Sequence, residues 1–345
     1  MRAVVYDGFQ QLPEVREVPE PGAPPGGAVI RVEATGLCRS DWHGWQGHDA
    51  DIQKFPHVPG HEFAGVVTEV GAGVRGWTAG DRVMAPFVCA CGTCADCARG
   101  DHQVCANQTQ PGFTHWGSFA GYVAIDHADV NLIRLPEGMA FATAAGLGCR
   151  FATAFRAIVE RAAVRPGEWV AVYGCGGVGL SAVMIAAAAG ARVIAIDTAP
   201  EALALARSFG AAEGLLAGSG DLPGRIAELT SGGAHVSLDA LGDPGTCAQS
   251  ISSLRRRGRH VQIGLLPQGA DLPMGRVIGY ELDVLGSHGM PAHAYPPMLD
   301  LIAADRLHPE ALITRTISLD EAVAALTGGS TPGVTMIDPW LQSDA

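Results

Sequence analysis

Lysine is almost absent from this sequence, because Lys54 is the only one among 345 residues and arginine carries nearly all of the positive charge. The formal net charge is −12, and charged residues make up only 17% of the chain. A nucleic-acid partner calls for a basic surface, so this balance argues against one. Hydrophobic residues amount to 48%, which provides ample material for cores and little for disorder.

Long apolar runs are missing too. The longest, 182–189, is alanine-rich, shorter than a membrane span and closed by Gly190. Residues 1–7 lack the apolar segment of a secretory signal peptide. We therefore expect a cytoplasmic enzyme with no membrane partner. In that setting its nine cysteines are better explained by metal than by disulfides.

The length suits two domains rather than one core. Short alternating segments fill the first 150 residues and predict a mostly β region, a partly closed barrel-like sheet. From 169 to about 287, buried strand patterns alternate with helical ones, which predicts a doubly wound parallel sheet. The remainder, 288–345, is expected to return to the first domain.

The stretch 38–62 opens with Cys-Arg-Ser-Asp-Trp-His and closes with Gly-His-Glu. It contains a thiolate, imidazoles, a hydroxyl and carboxylates, the groups that hold a metal and move a proton beside it. A catalytic zinc takes three protein ligands and leaves its fourth position to water or substrate. Cys38 and His61 are candidates for two of the three; the alternative for each, taken alone, is a packing role.

Four cysteines follow at gaps of two, two and seven residues within the short segment 89–106. Four thiolates can close on one ion and leave no open position, which is typical of a structural zinc. Four reduced thiols in a loop, or an iron–sulfur cluster, are the alternatives. The candidate ligands are Cys91, Cys94, Cys97 and Cys105.

A glycine turn after the strand pattern 169–173 indicates a dinucleotide site, because a helix pattern and a second strand that ends in an acid follow it. The glycines allow a tight turn and bring a pyrophosphate close to the helix N-terminus. The acid, Asp197, is placed to accept hydrogen bonds from the ribose hydroxyls, so NAD is favoured over NADP. The residues of the turn are Gly174, Gly176, Gly177, Val178 and Gly179.

These motifs, in this order and over nearly the whole chain, resemble the zinc-dependent medium-chain alcohol dehydrogenases. The resemblance implies an α/β architecture with a GroES-like, mostly β catalytic domain (1–150) and a Rossmann coenzyme domain (151–287), before the return at 288–345. It also implies NAD, two zinc ions per chain, one catalytic and one structural, and a homo-oligomer, either tetramer or dimer.

The resemblance assigns further residues to the site. Cys149 becomes the third ligand of the catalytic zinc, Glu62 lies behind the metal and is counted among its binding residues, and Asp41 holds the far nitrogen of His61. Residues implied at the coenzyme are Arg39 at the pyrophosphate, Thr153 at the nicotinamide, and Gly264 with Leu265.

The implied reaction passes a hydride from a zinc-bound alcohol to the nicotinamide. Ser40 would accept the proton, and a relay through the nicotinamide ribose would reach His43 and solvent. The plainer alternative for these two residues is a helix cap and a surface imidazole.

An apolar pocket is implied by the resemblance, and it favours aliphatic or aromatic alcohols over polyols. Polyol, threonine and formaldehyde dehydrogenases share the motifs, and a non-catalytic structural relative is the alternative from another class. Two departures stand out: the segment 333–337 has no basic residue, and Arg150 is bulkier than expected beside Cys149. The pocket residues are Trp45, Phe87, Trp116 and Leu265.

Overall fold

The computed structural model describes residues 1–218, 220–267, 269–329 and 331–342. The chain divides into two compact units. The first consists of Met1–Ala152, Gly289–Asp300 and the chain from Pro309 onward, and the second of Thr153–His288 and Leu301–His308. The segment Leu301–His308 therefore belongs to the second unit, whereas the sequence pattern assigned it to the return.

The strands are given in chain order. They are β1 (Arg2–Val5), β2 (Glu14–Glu17), β3 (Ala28–Leu37), β4 (Phe63–Val70), β5 (Arg82–Met84), β6 (Tyr122–Ile125), β7 (Ile133–Arg134), β8 (Trp169–Tyr173), β9 (Arg192–Asp197), β10 (Ala211–Leu216), β11 (Ala234–Asp239), β12 (Leu254–Gln262), β13 (Asp283–Gly286), β14 (Ile313–Ile317) and β15 (Val334–Ile337).

The α-helices are α1 (Arg39–Gln46), α2 (Ala95–Ala98), α3 (Ala128–Asn131), α4 (Phe141–Gly146), α5 (Ala152–Arg156), α6 (Gly177–Ala188), α7 (Pro200–Ser208), α8 (Leu222–Thr230), α9 (Pro244–Ser252), α10 (Met274–Tyr280), α11 (Pro296–Ala303) and α12 (Leu319–Thr327). Short 3₁₀ turns cover His102–Val104, Ala292–Ala294 and Pro309–Leu312, and π-helical stretches cover Leu147–Phe151 and Ala157–Arg161. Among the helices in the described ranges, none combines the length and hydropathy that a bilayer crossing requires.

The first unit is mostly β, as the sequence predicted. One sheet has the order β14-β15-β3-β4-β5-β7, with β6 also paired to β3, and β1 pairs with β2 in a separate ribbon. Buried Ile30, Val32, Phe63 and Val67 of β3 and β4 belong to its core. The pattern over 81–88 predicts one strand, but the structure limits it to β5, because the proline at 86 that follows has no N–H to donate to a ladder.

The second unit contains the predicted parallel sheet, in the order β10-β9-β8-β11-β12-β13. This is the doubly wound dinucleotide-binding order, with the reversal beside the first strand. All five residues of β8 are buried, which explains its uninterrupted apolar sequence. Strand β10 was not predicted, because Ala-Ala-Glu-Gly lacks β-branched side chains.

The pattern over 152–163 predicts a helix, and the structure makes this segment only partly α-helical. It begins as α5 and continues as the π-helical stretch Ala157–Arg161, and a second π-helical stretch, Leu147–Phe151, precedes it. π-Helical turns are rare and occur often at functional sites. The stretch Leu147–Phe151 contains Cys149 and Arg150.

Candidate functional site

Four donor side chains of the first unit converge on one point: Cys38, His61, Glu62 and Cys149 each offer a ligand atom, and these atoms lie within 4.8 Å of one another. Cys38 follows β3, and His61 with Glu62 leads into its antiparallel neighbour β4. The thiols of Cys38 and Cys149 are hydrogen-bonded to each other, which lowers the pKa of Cys38 and raises that of Cys149. Sulfur and imidazole donors at this separation suit a zinc ion.

The orientation of His61 also fits a metal. Its Nδ1 lies 2.9 Å from Asp41 Oδ1, the contact that the resemblance implied. Its Nε2 is buried and has no hydrogen-bond partner among the described residues. Asp41 is itself held by the backbone N–H groups of Cys38 at 2.9 Å and Gly60 at 3.1 Å. An unpartnered buried nitrogen aimed at two thiols is the arrangement that a bound cation would complete.

Gly60 has a conformation and an environment that exclude other residues. Its φ of 102° lies in the region that favours glycine, and a Cβ there would collide with Phe119 and with the Ser118 hydroxyl. Glycine is therefore required directly before His61, because it lets the chain pass close to Phe119.

Arg150, whose size had no explanation in the sequence, is the partner of Glu62. Its Nε donates to Glu62 Oε1 at 2.9 Å, its Nη2 donates to Glu62 Oε2, and its Nη1 donates to the Leu37 carbonyl at 2.9 Å. Both side chains are buried. No pattern in the sequence indicates this pairing.

The four-cysteine segment closes as expected. The sulfur atoms of Cys91, Cys94, Cys97 and Cys105 lie within 4.8 Å of one another, with three of the separations between 3.5 and 3.7 Å. Four sulfurs around one tetrahedral zinc at 2.3 Å would be about 3.8 Å apart. Hydrogen bonds from Thr93 lower the pKa of Cys91 to about 5, which favours the thiolate that a metal requires.

Helix α1 carries Arg39, Ser40 and His43. Burial lowers the pKa of His43, and the nearby Arg39 and His48 lower it further. His43 Nδ1 lies 3.0 Å from Nδ1 of the exposed His48. No motif in the sequence singled out His48, whose one signal there is that it follows His43 by five residues.

Arg39 is held against a neighbouring ring. Its guanidinium lies 3.6 Å from the centroid of the Trp42 ring. Burial lowers its pKa from the usual value. Arg39 is nevertheless exposed, so its guanidinium retains access to solvent.

The residues expected at the substrate pocket are not all brought together. Phe87 is buried, with its ring 6.0 Å from that of His61. Trp45 is buried and donates to the Gln11 carbonyl at 2.6 Å. Trp116 lines a cavity of about 340 Å³ whose described lining includes Phe113 and Lys54 but neither Trp45 nor Phe87.

The glycine turn of the second unit has the shape of a phosphate cradle. Gly174 has a φ of 87°, and a Cβ on Gly179 would overlap the Gly174 carbonyl. A Cβ on Gly176 would contact no atom of the described chain within 4 Å, so open space lies before α6. Free space at the N-terminus of a buried helix suits a pyrophosphate.

Asp197 ends β9 beside this turn. Its carboxylate accepts hydrogen bonds from the backbone N–H groups of Cys175 at 2.7 Å and Ala199 at 2.9 Å. These bonds fix its position. Leu265 is 53% exposed, and Thr153 Oγ1 is buried with no partner in the described ranges.

Gly264 lies in the loop after β12, packed against the loop after β11. Its N–H donates to Asp239 at the backbone oxygen, and a Cβ on Gly264 would overlap Gly242. The buried Asp239 carboxylate also accepts hydrogen bonds from the N–H groups of Leu241 and Gly242. Asp239, another residue that the sequence analysis missed, therefore holds these loops together at the ends of the strands.

Comparison with known protein families matches both units. The family described as "Alcohol dehydrogenase GroES-like domain" matches residues 24–137, and "Zinc-binding dehydrogenase" matches residues 177–304.

Individual relatives point in the same direction. An alcohol dehydrogenase of Rhizobium meliloti (strain 1021) is 37% identical over 288 residues, which are 83% of this chain and 84% of the relative. A sorbitol dehydrogenase of Halalkalibacterium halodurans is 31% identical over 315 residues, 89% of each chain. A solved structure described as an NAD-dependent alcohol dehydrogenase superposes with a TM-score of 0.87 at 29% identity, covering 98% of this chain and 99% of that one.

Proposed function

Because this chain belongs to the zinc-dependent medium-chain alcohol dehydrogenase family and is an NAD-dependent alcohol dehydrogenase, we propose that Cys38, His61 and Cys149 hold its catalytic metal. The reaction transfers a hydride between a primary or secondary alcohol and NAD, giving an aldehyde or ketone. The observation that carries the assignment is the convergence of the buried donors, with His61 Nε2 unpartnered among the described residues.

Zinc bound at these residues would act as a Lewis acid that lowers the pKa of the alcohol hydroxyl. Ser40 receives the hydroxyl proton, since it lies two residues from the ligand Cys38 on α1. His43 returns the proton to solvent. Its lowered pKa keeps the imidazole neutral near pH 7 and able to accept a proton. The exposed His48 provides the outlet at Nδ1.

The glycine turn, from Gly174 to Gly179, would hold NAD, with the N-terminus of α6 available to the pyrophosphate. Asp197 would accept hydrogen bonds from the adenosine ribose hydroxyls. Arg39 is the candidate residue for the pyrophosphate and Thr153 for the nicotinamide, and Gly264 and Leu265 are the further coenzyme candidates. The open space at Gly176 and the unpartnered buried hydroxyl of Thr153 in the described chain support this assignment.

A second, structural zinc is assigned to the lobe 89–106. Its ligands are Cys91, Cys94, Cys97 and Cys105, whose close sulfur atoms support a closed tetrahedral site. This ion would tie the lobe together and take no part in the reaction.

The substrate is proposed to be an aliphatic or aromatic alcohol. The buried Phe87 beside His61 supports an apolar surface near the metal. The similarity to a sorbitol dehydrogenase keeps polyols as the second candidate. The two substrate classes can be told apart by kcat/KM. If polyols are the substrate, hydroxyl groups beyond the reacting one raise kcat/KM, whereas for an aliphatic or aromatic alcohol they do not.

A homo-oligomer is also proposed. Strand β13 is the edge of the parallel sheet, and Val284 on it is 41% exposed. No residue of α10 is buried in the described chain, and Met274 and Ile278 are 50% and 74% exposed. An apolar edge of this kind suits pairing with a second copy. None of the nine cysteines, all of which lie in the described ranges, is in a disulfide, which supports a cytoplasmic location.

One experiment tests the assignment of the metal site. The protein is purified with its metal, zinc is counted, and NAD reduction is followed with aliphatic, aromatic and polyol alcohols. Two zinc ions per chain and turnover that is lost in Cys38→Ser are expected. If Cys38→Ser loses one zinc ion and still oxidises alcohol, the catalytic metal does not lie at Cys38, and the assignment is wrong.

A further inference from the structure

Arg150 and Glu62 form a buried ion pair beside the proposed metal ligands. Arg150 is 7% exposed and Glu62 is fully buried. The guanidinium donates through Nε to Oε1 at 2.9 Å and through Nη2 to Oε2, and the backbone N–H of Arg150 adds a bond to Oε1 at 3.1 Å. Both carboxylate oxygens are therefore engaged.

The same carboxylate lies within reach of the metal site. One of its oxygens is within 4.8 Å of the donor atoms of Cys38, His61 and Cys149. Glu62 directly follows His61, and Arg150 directly follows Cys149. Glu62 thus has two possible partners, the guanidinium that it contacts and the cation that the three ligands would bind.

Charge and geometry decide between these partners. Two thiolates, from Cys38 and Cys149, already balance a divalent cation, so a carboxylate ligand would add an uncompensated negative charge in a buried site. Arg150 offers a planar fork that matches a carboxylate, and such bidentate bonds are strong and orienting. The third donor of that guanidinium, Nη1, is fixed on the carbonyl of Leu37, the neighbour of Cys38.

Gly36 provides the space for this pair. A Cβ at this position would overlap both Glu62 Oε2 and Arg150 Nη2. The Gly36 N–H also donates to the Glu62 carbonyl at 2.7 Å. The pair is therefore enclosed on this side by backbone, which limits its freedom to swing.

We propose that Arg150 is a positioning residue that holds Glu62 beside the metal and off it, so that only Cys38, His61 and Cys149 ligate the ion and its fourth position stays open. This proposal rests on the zinc site proposed above. Without Arg150, the buried carboxylate loses its cation, and the metal becomes the nearest replacement.

Cobalt replacement tests the proposal without relying on turnover. The zinc enzyme is converted to the Co²⁺ form, and visible spectra are recorded with and without imidazole, a ligand that enters an open position. Wild type is expected to give a clear imidazole difference spectrum. In Arg150→Met the resting spectrum should change, and the imidazole difference spectrum should be weakened or lost, because the freed carboxylate would compete with imidazole for the fourth position.

The matched control is the double variant Arg150→Met with Glu62→Gln, which removes both buried charges and the anionic ligand together. It should regain the wild-type resting spectrum and imidazole response. If Arg150→Met alone does not fold, the double variant still tests whether Glu62 is a ligand in wild type, which the proposal denies. A resting spectrum of the double variant that differs from wild type would mean that Glu62 is already a ligand, and would overturn the proposal.

Two other outcomes are distinguishable. If Arg150→Met folds and its cobalt spectrum and imidazole response match wild type, Arg150 does not position Glu62, while the metal site stands. If wild type and Cys38→Ser bind the same amount of cobalt with the same spectra, the proposed metal site itself fails, and the role of Arg150 fails with it.

Discussion

His61 Nδ1 donates a buried hydrogen bond to Asp41 Oδ1 at 2.9 Å. A carboxylate only accepts, so this bond places the ring proton on Nδ1 and leaves the lone pair of Nε2 for a metal. Two backbone N–H groups hold the Asp41 carboxylate in place, so the backbone sets the orientation of the His61 imidazole.

Replacement of Asp41 by Asn is expected to weaken zinc binding at the catalytic site by about 10–100-fold, because the negative charge behind His61 is lost. Zinc release to a chelator measures the effect. Asp51→Asn, on an exposed residue, is the matched control and should behave like wild type. If Asp41→Asn and wild type retain zinc equally, Asp41 has no role in zinc binding.

The variant His43→Gln should slow alcohol oxidation most at the acid end of the pH range. The pKa of His43 is lowered by burial and Arg39, so in wild type its neutral, proton-accepting form persists below the usual histidine range. Added buffer base should partly restore the oxidation rate of this variant. In Ser40→Ala the rate of alcohol oxidation should fall about 10²–10⁴-fold, and buffer base should not restore it. His308→Gln, on an exposed side chain, is the control. If the pH profiles of His43→Gln and wild type coincide in every buffer, the proton relay does not pass through His43.

Coenzyme preference should depend on Asp197. Asp197→Ala is expected to narrow the preference for NAD over NADP, mainly by raising the KM for NAD, because the ribose hydroxyls lose their acceptor and a phosphate no longer meets a carboxylate. Asp221→Ala, which removes a cap that accepts from Gly224 N–H at 3.0 Å, should cost about 1 kcal/mol of stability and leave the preference unchanged. Equal use of both coenzymes by wild type would contradict the assignment.

Two glycines of the turn should respond differently to alanine. Gly179→Ala should destabilise the second unit, because the new Cβ would overlap the Gly174 carbonyl. Gly176→Ala should leave the melting temperature near that of wild type, since its Cβ meets only open space in the described chain, but it should raise the KM for NAD by occupying the pyrophosphate space. Thermal melts and NAD titrations check both. Unchanged NAD binding in Gly176→Ala would place the pyrophosphate elsewhere.

The two metal sites should have separable roles. Cys38→Ser is expected to abolish turnover while the fold persists, because an open site ties fewer segments together. Cys97→Ser should instead lower thermal stability, since a closed structural zinc contributes folding free energy directly. Elemental analysis and thermal melts of the holoenzymes test this. A wild type with a single zinc would refute the two-site assignment.

The sequence by itself determined those parts of the protein whose geometry follows from spacing along the chain. The cysteines from Cys91 to Cys105 lie within one short segment, so their gaps alone bring the sulfurs together. The glycine turn is likewise local, because strand, turn and helix are consecutive and the small residues set the backbone path. The alternation of strand and helix patterns similarly predicted the parallel sheet.

Tertiary structure decided the contacts between residues far apart in sequence. Arg150 meets Glu62 across 88 positions, and no pattern around either residue indicates the other, because the pairing depends on how β3, β4 and the π-helical stretch Leu147–Phe151 pack. The assignment of Leu301–His308 to the second unit has the same origin. Local propensity fixes which segment becomes a helix or a strand, whereas the partner of a buried charge is chosen only when the segments that enclose it come together.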